Sequence, residues 1–167
     1  MQITVVRSRR KTLCLRIKAD GSIQVNAPLL CTDRQISEFV DKHTDWIEKH
    51  RASVTERNRR LESVDTERLR ALAKAYIPQR VKYFSGVMGL EPTAVKINSA
   101  KTRFGSCSGK NSLNFSLYLM LYDEAAIDYV VVHELAHILE KNHSDRFYKI
   151  VEKYLPDYKL RRKMLKK

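Results

Sequence analysis

The chain is poor in the residues that interrupt or cross-link small proteins. Of its 167 residues, 5 are glycine, 4 are proline and 3 are cysteine. So little glycine and proline excludes collagen-like and low-complexity classes, and a hydrophobic fraction of 43% excludes a disordered chain. An odd number of scattered cysteines, Cys14, Cys31 and Cys107, forms no disulfide framework and favours a reducing compartment.

Long hydrophobic runs are missing as well. No stretch approaches the roughly 18 consecutive apolar residues that cross a bilayer, and the first residues contain no apolar core of a signal peptide. We therefore expect a cytoplasmic protein without a membrane partner.

Acidic residues are the scarcer charged class. The sequence has 19 Asp and Glu against 32 Lys and Arg, a formal net charge of +13. The excess is concentrated in two groups, here called the basic ends: Arg7, Arg9, Arg10, Lys11, Arg16 and Lys18 near the start, and Lys159, Arg161, Arg162, Lys163, Lys166 and Lys167 near the finish. Two interpretations stay open: the basic ends bind a nucleotide or nucleic acid through its phosphates, or they only solvate the surface.

Hydrophobic periodicity predicts an α+β fold. Alternating apolar residues over 1–30 predict a β-rich region with one buried face and an Asp20-Gly21 hairpin turn. Residues 31–62 predict a helix capped by Thr32 or Asp33, whose charged second half, 49–61, is either the helix end or a solvated connector. Residues 63–167 form the third region, and we expect all three within one compact unit.

The third region has stronger helix signals. Asp65 or Thr66 begins a helix that Pro78 kinks or splits. A strand over 113–117 precedes a helix that Asp123 caps and that is apolar nearly all round, so we expect this helix to be buried.

The buried helix contains the sequence His133-Glu134-Leu135-Ala136-His137. Residues four apart lie on one helix face, so both imidazoles can reach one metal ion, and Glu134 lies beside that ion as a base for water. Histidine pairs on helices are also often satisfied by hydrogen bonds alone. The apolar flanks favour the metal, because they leave these polar groups without other partners.

His143 is the natural third ligand, because catalytic zinc sites usually have three protein ligands and one open position. The chain must turn after His137 for His143 to return to the same ion, and Lys141-Asn142 supplies residues that suit the end of a helix. Spacing alone does not choose zinc over another divalent ion.

Over nearly its whole length the chain resembles the YgjP-like family of metal-dependent hydrolases, which are related to SprT-like zinc proteases. Four segments carry the strongest match. They are 103–107 (Arg-Phe-Gly-Ser-Cys), 114–115 (Asn-Phe), 127–137 with the two histidines, and 142–147 with His143. One departure is Phe104, where the family commonly has tryptophan.

The resemblance implies a minimal zincin-like, or gluzincin-like, core over 63–167, with a small sheet and the metal-binding helix. It implies one zinc ion per chain, held by His133, His137 and His143. It also implies a metallopeptidase that hydrolyses peptide bonds of a peptide or protein substrate through a metal-activated water, with Glu134 as general base.

Other roles near the site follow from residue type. Arg103, Asn114 and Tyr148 are candidate substrate-binding residues, and Asp145 and Asp157 are candidate carboxylates for orienting the ligand histidines. The strand over 113–117 is expected at a sheet edge, where an extended peptide could pair with it.

Two alternative functions stay open. One is a metal-dependent nucleotide pyrophosphatase or phosphohydrolase. It is favoured by segment 101–110, which is small, polar and basic, as in a phosphate-binding nest, and is predicted to be a loop or an irregular edge strand. A nucleic-acid-associated SprT-like protease is favoured by the basic ends. No pattern predicts an oligomeric state.

Overall fold

Three strands form the first sheet of the computed structural model, which describes residues 3–18 and 20–165; Lys166 and Lys167 of the basic ends lie outside this range. The strands are β1 (Ile3–Ser8), β2 (Cys14–Ile17) and β3 (Ile23–Pro28), in the order β1-β3-β2. β3 pairs parallel with β1 and antiparallel with β2. The predicted hairpin turn joins β2 to β3, with Gly21 at a φ of 78°.

The core of this region is centred on β3. Ile23, Val25 and Ala27 are fully buried on one face of the strand and pack with apolar residues of the helices that follow. β1 differs from the prediction of a buried face, because Ile3 and Val5 remain 38% and 42% exposed. Within the described residues, β1 is an edge strand whose one partner is β3.

Two helices follow, α1 (Asp33–Asp41) and α2 (Thr44–Glu62). Thr32 caps α1 through a reciprocal pair: its hydroxyl accepts from the Gln35 N–H at 3.3 Å, and its own N–H donates to Gln35 Oε1 at 2.9 Å. The charged segment 49–61 is helical as part of α2, instead of a solvated connector.

The chain divides into two compact units, Met1–Val64 and Asp65–Lys167. The second unit begins with α3 (Thr66–Met88), which the Asp65 carboxylate caps by accepting from the N–H groups of Glu67 and Arg68. Pro78 does not split this helix, which runs unbroken to Gly89, whose φ of 65° ends it.

The second sheet contains β4 (Ala94–Asn98), β5 (Gly105–Cys107) and β6 (Ser112–Ser116), in the order β4-β6-β5. The prediction that the strand over 113–117 lies at the sheet edge is therefore wrong. This strand, β6, is central, because it pairs parallel with β4 and antiparallel with β5. The edge strands are β4 and β5, and β5 comes from the small polar segment 101–110. Among the described residues, no strand pairs with its outer side.

A short 3₁₀ helix (Leu117–Leu121) leads into three helices, α4 (Glu124–Leu139), α5 (Asp145–Tyr154) and α6 (Tyr158–Met164). α4 is the buried helix that the sequence predicts, and it packs against α3, α5, α6 and β5. The α+β class, with small sheets and a central helix that carries the two histidines, is confirmed. None of the helices in residues 3–18 and 20–165 has the length and apolar character needed to cross a membrane.

An ion-pair network fixes α4 between α3 and α6. Asp128 on α4 is only 7% exposed and accepts from Arg80 of α3, with Nε at 2.7 Å and Nη2 at 2.8 Å. Arg161 of α6 approaches the same carboxylate at 3.7 Å. A bidentate guanidinium–carboxylate pair has a defined geometry, so it sets the position of α4 as well as its stability.

We expect Asp128→Ala to lower the free energy of unfolding by about 2–4 kcal/mol, because it leaves two partly buried guanidinium groups without their shared carboxylate. Urea unfolding followed by circular dichroism measures the change. Glu56→Ala is the matched control, since it breaks the exposed Arg60–Glu56 pair on α2 and should change the value by no more than about 0.5 kcal/mol. Equal losses in the two variants would contradict the structural role of Asp128.

Candidate metal centre

The last two turns of α4 place two histidines on one side and apolar residues on the other. Val132, Leu135 and Ala136 are fully buried in the core. His133 and His137 are partly buried, and their rings meet edge to face with centroids 4.9 Å apart. The helix therefore fixes both imidazoles through its packing.

The chain turns immediately after α4. Glu140 ends the helix, and its carbonyl oxygen lies 2.9 Å from His137 Nδ1. A carbonyl oxygen only accepts, so His137 carries its proton on Nδ1 and presents the lone pair of Nε2. Ser144 then starts α5 by accepting from the Phe147 N–H at 3.4 Å, which leaves His143 in the short connection between the helices.

Three Nε2 atoms converge as a result. His143 Nε2 lies 3.0 Å from His133 Nε2 and 3.2 Å from His137 Nε2. At most one of these two contacts can be a hydrogen bond, because His143 Nε2 has either one proton to donate or one lone pair with which to accept. Two nitrogens bound to a tetrahedral zinc ion at their usual distance lie about 3.3 Å apart. All three nitrogens lie within 4.8 Å of one another, so this donor set could hold one metal ion with three imidazole ligands.

Phe147 forms the floor of the cluster, a role that the sequence analysis did not assign. Its ring is fully buried, and its centroid lies 4.8, 4.4 and 4.9 Å from those of His133, His137 and His143. The Ser144 cap could have revealed it, because the cap fixes Phe147 in the first turn of α5, directly after His143.

Lys141 ties the connection between the helices to the turn between β5 and β6. Its ammonium donates to Asn111 Oδ1 at 2.7 Å and to the Ser108 carbonyl at 3.3 Å, and it lies 3.6 Å from Cys107 Sγ. Burial raises the pKa of the Cys107 thiol despite this cation, so the geometry favours a structural thiol over a nucleophile.

Glu134 directly follows His133 in α4, and its carboxylate is not part of the nitrogen cluster. Its side chain is 5% exposed and packs against the backbone of β5 at Gly105. Burial raises the pKa of this carboxyl to about 7, although the charge of Arg103 opposes the shift. A carboxylate in this state can accept and return a proton near neutral pH.

Comparison with known families decides the class. The sequence matches the YgjP-like family, described as "YgjP-like, metallopeptidase domain", over residues 11–72 and 55–167. The chain belongs to the YgjP-like family. It is therefore a metal-dependent hydrolase of the peptidase class, and its substrates are peptides or proteins.

Two solved structures are similar to part of this YgjP-like chain. They are crystal structures of metallopeptidase zymogens, abylysin of Pyrococcus abyssi and jannalysin of Methanocaldococcus jannaschii. Abylysin is 24% identical, with a TM-score of 0.48, over 54% of this chain and 93% of its own. Jannalysin is 25% identical, with a TM-score of 0.47, over 54% and 91%. Among curated proteins, none matches the chain at a significant level.

Burial also sets the charge of the imidazoles. It lowers the pKa of His133 to about 3, with repulsion from His137 and His143 as a smaller cause, and it lowers the pKa of His137. Both rings are therefore neutral at physiological pH, which is the form that binds a metal.

The predicted substrate-binding residues lie at different distances from the cluster. Tyr148 is near it, with its ring centroid 6.3 Å from that of His143. Arg103 is exposed and acts on Glu134 through its charge. Asn114 lies on central strand β6, opposite Ser106 of β5 and on the other face from the buried Leu113 and Phe115.

A tyrosine, not a carboxylate, lies beside the outer nitrogen of His133. The Tyr129 hydroxyl is 3.4 Å from His133 Nδ1. Asp157 pairs instead with Arg161 at 2.8 Å. Helical periodicity could have found Tyr129, because it precedes His133 by four residues and so lies on the same face.

We expect the purified YgjP-like protein to bind about one divalent ion per chain, and His143→Ala to abolish this binding, because two imidazoles alone leave the ion poorly held. The metal content per chain is measured by elemental analysis after dialysis. His50→Ala is the control: this ring stacks on Trp46 of α2, outside the cluster, and its loss should leave the metal content unchanged. Equal metal content in the two variants would contradict the site.

Proposed function

We propose that this chain is a zinc-dependent peptidase in which His133, His137 and His143 hold the metal and Glu134 is the general base. The observation that carries the proposal is the convergence of three Nε2 atoms, with contacts of 3.0 and 3.2 Å. The residue that follows the first of these histidines, Glu134, is a buried carboxylate. Imidazole ligands suit zinc among other ions, and the chain belongs to a metallopeptidase family.

When bound, zinc would polarise the scissile carbonyl group and acidify the attacking water. The residues of the chain supply the proton transfers. The Glu134 carboxylate takes the proton of the attacking water and returns it to the leaving amine. Its pKa of about 7 suits both steps, because neither the accepted nor the released proton is held too strongly.

Arg103 and Tyr148 are the proposed groups for the substrate. The positive charge of Arg103 near Glu134 suits the carbonyl oxygen or another negatively polarised part of the peptide. Tyr148 lies beside His143 and stacks on Tyr158, with centroids 5.8 Å apart, which limits the movement of its ring. Asn114 stays a candidate through its place next to the edge strand.

Within the described residues, two arginines of the basic ends form ion pairs with carboxylates of the protein itself. Arg7 pairs with Asp33 at 2.5 Å, and Arg161 pairs with Asp128 and Asp157. Binding of nucleotide or nucleic acid by the remaining basic residues stays a prediction, and so does a role as a protease acting on nucleic-acid-bound protein.

We expect Glu134→Gln to keep the metal and to lower peptidase turnover by at least about 10²-fold, because the amide has the shape of the carboxylate but cannot take a proton. Turnover is measured on an unfolded protein substrate with the zinc-loaded enzyme. Glu152→Gln, an exposed position on α5, is the control for the loss of one negative charge and should retain full activity.

The same variants separate peptidase from phosphohydrolase. Release of pyrophosphate or phosphate from nucleoside triphosphates is measured in parallel. If only this release depends on Glu134, the nucleotide pyrophosphatase alternative replaces the peptidase. Peptidase turnover that is unchanged in Glu134→Gln would show that the base is misassigned.

A further inference from the structure

Edge strand β5 passes directly over the general base at Gly105. A Cβ atom added to Gly105 would lie 2.6 Å from Oε1, 2.7 Å from Cγ and 2.9 Å from Cδ of Glu134. All three distances are shorter than the 3.0 Å below which real Cβ contacts essentially never occur. The outer half of the Glu134 side chain therefore occupies the space that a side chain at residue 105 would take.

Space, rather than backbone freedom, is the reason for glycine here. Gly21 and Gly89 have positive φ angles of 78° and 65°, whereas Gly105 lies in a strand without one. Gly109, in the turn that follows β5, has no atom within 4 Å of an added Cβ. The requirement for an absent side chain is thus specific to the position over Glu134.

The surroundings determine which group would move. Gly105 pairs with the fully buried Phe115 in β6, and the neighbouring Phe104 carbonyl accepts from the Ser116 N–H at 2.8 Å, so the strand is held in place. α4 is held by its buried face and the Asp128 network. The end of the Glu134 side chain is the flexible part, and a methyl group would displace it while the fold persists.

We propose that Gly105 is a positioning residue, and that its missing side chain forms the slot that sets the position of the Glu134 carboxylate. This role rests on the proposed function of Glu134 as general base. A displacement of about 1 Å in a catalytic group can lower the rate by about 10²-fold.

The kinetic test compares Gly105→Ala with Gly109→Ala, the same substitution four residues along the chain without a contact. For Gly105→Ala we expect kcat to fall by about 10–100-fold, while KM and zinc content stay within about twofold of the wild type. Gly109→Ala should change none of the three values. A kcat of Gly105→Ala within about twofold of the wild type would overturn the proposal.

A second test needs no activity. Urea unfolding midpoints are measured for Gly105→Ala in the wild-type and the Glu134→Ala backgrounds. We expect the substitution to lower the midpoint in the wild type, and to leave it unchanged or raise it in Glu134→Ala, because the three overlapping atoms are then gone and alanine suits a strand better than glycine.

Equal effects in both backgrounds would overturn the contact between Gly105 and Glu134. If the wild type cleaved no peptide, the proposed function would fail, and the slot at Gly105 would have no catalytic role. The unfolding cycle would still decide whether Gly105 and Glu134 compete for the same space, so the two failures are distinguishable.

Discussion

Three imidazole nitrogens that face one another are the constraint on which the second unit depends. Their lone pairs and single exchangeable protons cannot satisfy both contacts of 3.0 and 3.2 Å, so a cation is the simplest partner for all three. The Asp128 network holds α4, the Glu140 carbonyl fixes the tautomer of His137, and the Ser144 cap starts the helix whose Phe147 supports the rings. Each of these features restricts the position, orientation or tautomer of a histidine in the cluster.

Burial gives the same small region two complementary properties. It penalises charge on His133 and His137, which leaves neutral nitrogen donors, and it penalises charge on Glu134, which makes that carboxylate a base near neutral pH. The excess positive charge of the chain contributes little to either effect. Arg103 opposes the shift of Glu134, and Arg161 stabilises helix packing instead of an external anion.

Local patterns predicted the elements but not how distant segments meet. The i, i+4 histidines, the turn before His143 and the buried character of α4 follow from periodicity and capping, since these depend on neighbours in sequence. The strand order does not follow from local patterns, because β4 pairs with β6, and β5 lies between them in sequence but not in the sheet. For this reason the strand over 113–117 was wrongly predicted at the sheet edge. The contact of Gly105 with Glu134 depends on that same order, so nothing in the local sequence indicated it. The slot is a property of the tertiary structure.

The most direct measurement is anomalous diffraction at the zinc absorption edge from crystals of the zinc-loaded protein. We expect one peak per chain, from a zinc ion bonded at about 2.0–2.1 Å to the Nε2 atoms of His133, His137 and His143. A fully occupied zinc ion held by other residues, or by the Nδ1 atoms of these histidines, would contradict it.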